Sequence, residues 1–156
     1  MKKIKISWII IVILIIIIAI FVYKFTAGSV TPSDDGRQAV ILTKDERNMI
    51  LLEMRTWLQS TQGVLKAAIN NDLEEVATVA RVSGMAAEAL TPGSLFRKIP
   101  LPMKKLGFGT RSKFDEIAVM AENKVDNKKI IKFLSDTMTN CIACHASYRL
   151  VEEKSK

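Results

Sequence analysis

The sequence predicts an all-α protein: an antiparallel four-helix bundle preceded by a single N-terminal transmembrane helix. Three observations carry this. Residues 6–25 form an almost unbroken apolar run. From Thr43 onward, apolar residues recur at the three-and-four spacing of helices that bury one face. No stretch alternates apolar and polar residues with the period of a half-buried strand, and there is no internal repeat or low-complexity segment.

Lys2, Lys3 and Lys5 precede the apolar run, and Ile6–Phe25 is 20 residues long. About 17 to 25 apolar residues cross a bilayer core. A secretory signal has a shorter core and a small-residue cleavage site, and no clean A-x-A pattern follows here. Residues 1–28 are therefore expected to stay as a single-pass inner-membrane anchor. A soluble periplasmic product of signal cleavage is the alternative. Either way the lysines stay cytoplasmic, and the rest is exported, to the periplasm in a bacterium. Residues 29–42 contain Ser29, Thr31, Pro32, Ser33, Asp34, Asp35 and Gly36, which are poor helix formers. They are expected as a linker holding a domain of residues 43–156 off the membrane.

Thr43-Lys44-Asp45-Glu46 is a capping-box pattern that opens a first domain helix, to about Asn70. Its expected buried stripe is Ile50, Leu51, Met54, Trp57, Leu58, Leu65 and Ile69. Asp72 and Glu75 start a second helix running to about Leu90, burying Leu73, Val76, Val79, Ala80, Ser83, Ala86 and Leu90. Residues 91–110 hold three prolines and three glycines and are expected as an irregular crossover, with one helical turn near Leu95 to Lys98. A third helix from about Arg111 to Asn123 turns Phe114, Ile117, Ala118 and Ala121 inward. Asp126 caps the fourth, from about Asn127 to Glu152, with Ile130, Phe133, Leu134, Thr137, Cys141, Cys144 and Tyr148 on one stripe. Short first and last connections with a longer middle one fit an antiparallel bundle.

From Arg37 onward there are 19 Lys and Arg against 14 Asp and Glu, a net charge of +5. No interleaved aromatics accompany them, so nothing points to nucleic acid. No acidic residue lies between Glu88 and Asp115, where Arg97, Lys98, Lys104, Lys105, Arg111 and Lys113 occur. This stretch suits an acidic redox partner or anionic lipid headgroups. The plainer reading is a solvated loop capping the bundle end.

Cys141-Ile142-Ala143-Cys144-His145 is the pattern C-x-x-C-H, and it holds the only two cysteines and the only histidine of the chain. Two thiols at this spacing can add to the two vinyl groups of one haem, with the adjacent histidine held under the iron. A zinc site would need more thiolates or imidazoles than this chain owns. A thioredoxin-like dithiol expects a strand before it. A short-loop disulfide would restrict little chain entropy and leaves His145 without a role.

Cys141 to Arg149, Cys-Ile-Ala-Cys-His-Ala-Ser-Tyr-Arg on the last helix of a bundle, resembles the class II c-type cytochromes, the cytochrome c′ family. The resemblance spans residues 43–153 and is specific at the last helix. It implies an up-and-down bundle with one haem c per chain, covalently held by Cys141 and Cys144, and His145 as proximal iron ligand. It also implies a distal residue on the first domain helix, apolar in five-coordinate members and methionine in low-spin ones. Met54 lies on the expected stripe. Met49, five residues earlier, is turned about 140° away at 100° per residue. Met54 is thus the expected distal ligand. A core methionine filling a gap is the plainer reading.

Arg149 lies four residues past His145 and, on a continuing helix, one turn on. It is expected near the proximal pocket or a propionate, or else as a solvated arginine at a helix end. Trp57 is expected at the haem edge or against the second helix. Arg47 and Arg55 could reach propionates but read more simply as solvated. The resemblance further implies a homodimer through the first two helices, which a tether would constrain.

A membrane-tethered electron carrier suits one haem, a Met54 ligand and a basic loop. An open distal site would instead bind nitric oxide or carbon monoxide. A peroxidase-like enzyme lacks an acid–base histidine, because His145 is already used. A non-enzymatic role is expected.

Overall fold

The computed structural model describes residues 2–153, with side chains from Ser7 onward. The lysine side chains at 2, 3 and 5, and residues 154–156 of the expected domain, lie outside the described residues. Among the described residues the chain is mostly helical. Helix α1 (Lys2–Ala27) leads into strands β1 (Val30–Pro32) and β2 (Gln38–Leu42). Then come α2 (Lys44–Ile69), α3 (Leu73–Val82), a 3-10 turn (Met85–Leu90), α4 (Gly93–Lys98), α5 (Leu101–Glu122), α6 (Asn127–Ser147) and β3 (Tyr148–Glu152).

The segment Ser7–Ala27 has a mean hydropathy of 3.0 and is long and apolar enough to cross a membrane. Its large side chains, from Trp8 to Tyr23, face away from the rest of the protein.

Helix α2 starts as its capping box dictates. The Glu46 amide donates to Thr43 Oγ1 at 3.3 Å, and the Thr43 amide donates to Glu46 Oε2 at 2.9 Å. Asp72 Oδ1 accepts from the Glu75 amide at 3.0 Å at the head of α3, and Asp126 Oδ1 accepts from the Lys128 amide at the head of α6. Helices α2, α3, α5 and α6 share one core of Val64, Ala67, Ala68, Val76, Ala80, Phe114, Ile117, Ala118, Ala121, Ile130 and Leu134. The expected inward residues of α5 are all buried there.

The buried face of α2 differs from the expected stripe. Leu58, Leu65 and Ile69 are exposed, while Ser60, Val64, Ala67 and Ala68 are buried. Small residues let α3 approach closely. A Cβ on Gly63 would lie 2.8 Å from a Val79 methyl, and the buried Ser83 hydroxyl donates to Ser60 Oγ at 2.8 Å. The apolar stripe therefore yields to steric fit. Helix α3 also stops early, at Val82, because Asp115 captures the Met85 amide at 2.8 Å and starts the 3-10 turn. Ala86 and Leu90, expected inside, are consequently exposed.

Two further expectations fail. Residues 29–42 are not a bare linker, because they hold β1 and β2. The fourth helix does not reach Glu152 but ends at Ser147 and turns into β3. Strand β2 is central, antiparallel to β1 and parallel to β3, with Val30 opposite Val40 and Val40 opposite Leu150. Val40 and Leu42 are fully buried. They anchor a second core with Ile50, Leu95 and Met103, against which Met54, Cys144 and Tyr148 pack. This core pulls the chain after His145 out of helix and into the sheet.

A charged knot closes the sheet. Asp35 accepts from Arg37 at 2.7 Å and from Arg149 Nη1 at 3.3 Å, and the same Arg149 nitrogen donates to Ser33 Oγ at 3.1 Å. The Arg37 hydrogen bonds hold the Asp35 carboxyl down at about 2, against an ordinary value of 3.8. A lowered folded-state pKa gives stability that is present above the unfolded value and fades as pH falls toward the folded one. The difference in melting temperature between wild type and Asp35→Asn should be constant above about pH 5 and vanish as pH drops toward 2. Thermal melts followed by circular dichroism across that range check this.

Candidate functional site

The last two turns of α6 carry Cys141, Cys144 and His145 at positions i, i+3 and i+4, hence on one face of the helix. Helix α6 ends two residues later. The amide of Tyr148 closes onto Cys144 O, and Arg37 Nη1 donates to His145 O at 3.2 Å. A terminal carbonyl of the helix is thereby satisfied by a side chain from the β1–β2 turn.

This face borders a cavity of about 420 Å³, within the usual range for small-molecule and cofactor sites, roughly 300 to 1,000 Å³. Helix α2 contributes Ile50, Met54, Trp57 and Leu58 to the wall, and α4 contributes Leu95 and Phe96. Helix α5 contributes Met103, Lys104, Phe108 and Arg111. Met54 is half-buried on this wall. Met49 is 41% exposed and does not line the cavity, so the two methionines part as the helical angle requires. Trp57 lines the cavity and lies 5.6 Å from the Arg111 guanidinium. The structure thus gathers Cys141, Cys144, His145, Met54 and Trp57 from two distant helices around one space.

Arg149 is not among them. It lies on β3, where it pairs with Asp34 and Asp35. The helix ends before it, so a one-turn spacing from His145 does not apply. Arg55 is exposed and borders the cavity, whereas Arg47 does not.

Both thiols are free. Burial pushes Cys141 up, and burial with the neighbouring Cys141 pushes Cys144 up to about 11. A redox dithiol needs the opposite, a lowered thiolate pKa. Among the described residues, no group of three or more His, Cys, Asp or Glu side chains is placed to hold a metal ion.

Two buried cations on the cavity wall escape the sequence reading. Arg111 is 4% exposed. It pairs with Glu53 and, at 3.0 Å, with Glu88, and donates to Gly84 O. Burial pushes the Glu53 carboxyl up; Arg111 opposes this and Glu88 adds to it. Lys104 is 5% exposed, and burial lowers its pKa. With Met103 and Phe108, both lie on α5, whose first half falls within the expected crossover of residues 91–110. The signal was present. Pro100 is the N-cap of α5 and Pro102 follows in its first turn, where a missing N–H costs nothing. The same residues read as breakers when counted only as prolines.

Comparison with family models, with curated proteins and with solved structures finds no match to this chain.

Arg111→Met would leave Glu53 and Glu88 facing each other without their shared cation. A loss of about 3 kcal/mol is expected, the low end for a broken buried pair, because both carboxylates keep about a quarter of their exposure. Chemical denaturation in detergent measures it.

Proposed function

We propose that this chain is a membrane-tethered periplasmic mono-haem c-type cytochrome that transfers electrons, folded as an antiparallel four-helix bundle with a small added sheet. One observation carries the proposal. The C-x-x-C-H face of α6 and Met54 of α2 line the same largely apolar cavity.

The residues present fit a haem. The cavity wall includes Ile50, Met54, Leu95, Phe96, Met103 and Phe108, with Cys141 and Cys144 one helical turn apart for two thioether bonds. His145 borders the same space as the proximal ligand. Met54, on a different helix, is available for the distal position. When bound, the haem iron would supply one-electron exchange. The chain's own part is to hold, bury and orient it. A methionine thioether and a histidine as the two protein ligands would raise the reduction potential of the bound iron. Arg55 on the cavity border is the cation available to a propionate. Leu58 and Met138 are exposed on the cavity border, and Ile142 is exposed next to Cys141; they suit brief contact with a redox partner protein. Leu65 and Ile69 of α2 and Val82 of α3 are exposed apolar residues suited to a homodimer. Retention of α1 as the tether is supported by its last turn, which is packed into the domain.

Optical spectroscopy of the purified protein tests the assignment. Wild type should be low-spin and six-coordinate in both oxidation states. Met54→Ala should become high-spin, bind carbon monoxide in the ferrous state and show a lower reduction potential. A high-spin wild type that binds carbon monoxide directly would overturn electron transfer through a closed iron and favour gas binding.

A further inference from the structure

If α1 is a retained anchor, as proposed above, its junction with the domain carries a second function. We propose that the corner formed by α4 and the start of α5 is a lipid-contact surface resting on the anionic headgroups of the bilayer that α1 crosses.

Helix α1 does not end in a free tether. Phe25, in its last turn, packs on Phe96 with ring centroids 5.9 Å apart. The Phe25 carbonyl accepts from Lys104 Nζ at 3.2 Å. That ammonium also lies 4.0 Å from the Phe25 ring centroid and 4.4 Å from that of Phe96, an arrangement in which cation and ring quadrupole attract. Just past the helix, Gly28 adopts φ +68°, and a Cβ there would come within 2.6 Å of Lys98 O and Pro100 N. Only glycine combines that backbone with that approach. The Ser29 amide then donates to Lys98 O at 2.7 Å, and Ser29 O accepts from Ile41 of β2 at 2.8 Å. The chain passes from anchor to domain through an unbroken series of contacts.

Depth follows from this packing. The apolar span of α1 runs to Ala27, its most apolar stretch is not buried in the protein, and contact with the domain begins at Phe25, so the hydrocarbon boundary falls near Phe25. The headgroup layer adds about 5–7 Å on each side of the core. Phe96, Lys98 and Lys104 touch the last turn or the residues after it, so they lie in that layer. Arg97 and Lys105 are exposed on the same corner, and Lys24 is exposed on α1. Among the described residues, Lys98 alone of these is paired with carboxylates, those of Glu46 and Glu153. The exposed basic side chains at this level, Lys24, Arg97 and Lys105, attract anionic lipid, while the buried Lys104 ties the anchor to the corner.

An acidic redox protein is the competing occupant. It would have to reach these side chains across the bilayer surface. Nor is the basic stretch one patch, for Arg111 is buried between Glu53 and Glu88 and Lys113 donates to Asp136 O. The corner also fixes the cavity, because Phe96, Ile99 and Lys104 line it. The cavity then sits just above the headgroups, leaving Leu58, Met138 and Ile142 for exchange.

Lysine footprinting tests the contact without depending on the cofactor. The full chain is placed in bilayer nanodiscs of phosphatidylcholine, with or without phosphatidylglycerol, and treated with a water-soluble acylating reagent. Modification is read site by site by mass spectrometry. Lys128, at the far end of α6, serves as control. Glu46 near the start of α2 holds Lys98, while Asn71 past its end holds Asn127, so most of the length of α2, 26 residues and about 39 Å, lies between them. Lys105 modification should fall several-fold when phosphatidylglycerol is present, and Lys128 should not change. Arg97→Gln should weaken that protection. Equal modification of Lys105 in both bilayers overturns the proposal and leaves the corner open to an acidic protein. Intact mass separates the two ways to fail. A chain recovered without its first 28 residues or so overturns the anchor, and the lipid contact with it. An intact chain with unprotected Lys105 overturns the lipid contact alone.

Discussion

Parallel pairing of β2 with β3 is the constraint from which the site follows. It forces α6 to stop at Ser147, two residues after His145, and turns the chain into a strand whose Leu150 faces Val40 across the ladder. A helix continued to Glu152 would carry Tyr148 and Leu150 away from the second core. As a strand, that segment packs Tyr148 and Leu150 against the second core, whose Ile50, Leu95 and Met103 line the cavity between α2, α4 and α5. The end of the C-x-x-C-H turn is held from outside by Arg37, which donates to the carbonyls of His145 and Tyr148. The histidine is thus presented from a helix end fixed by side chain and sheet together.

Two cores divide the work. The first, between α2, α3, α5 and α6, is built from Val, Ala, Ile, one Leu and one Phe, and its tight contacts exclude large side chains from α2. The second is looser and contains the sulfur-bearing groups Met54, Met103 and Cys144. Flexible, polarizable methionines suit an irregular wall. Steric fit at one end of α2 and open volume at the other explain why Val64 is buried while Leu58 borders the cavity. The same α2 is tied at its start to α4 through Glu46 and Lys98, at 2.7 Å, so the cavity wall and the anchor junction are one structure.

Much of this was legible in the sequence where local chemistry decides. Thr43, Asp72 and Asp126 cap helices, as their side chains require. Phe114, Ile117, Ala118 and Ala121 are buried as their spacing requires. Met54, Cys141, Cys144 and His145 come to one cavity. The failures occur where long-range packing wins. Gln38–Leu42 is too short to show alternation and becomes a strand by pairing with Val30–Pro32 on one side and with Tyr148–Glu152, distant in sequence, on the other. Arg149 kept helical spacing from His145 in sequence but lies beyond the helix end. Pro100 and Pro102 begin a helix instead of breaking one, and with them the first half of α5, Met103 and Lys104 included, moved from loop to cavity wall.

The central claim is that Cys141 and Cys144 hold one haem through thioether bonds with His145 beside it. Intact mass spectrometry of the denatured chain, produced in cells able to attach haem to exported proteins, tests it most directly. The account predicts the mass of the polypeptide plus one haem, lost in the Cys141→Ser, Cys144→Ser double variant. A wild-type chain of unmodified mass, or a double variant that still carries covalent haem, would contradict it.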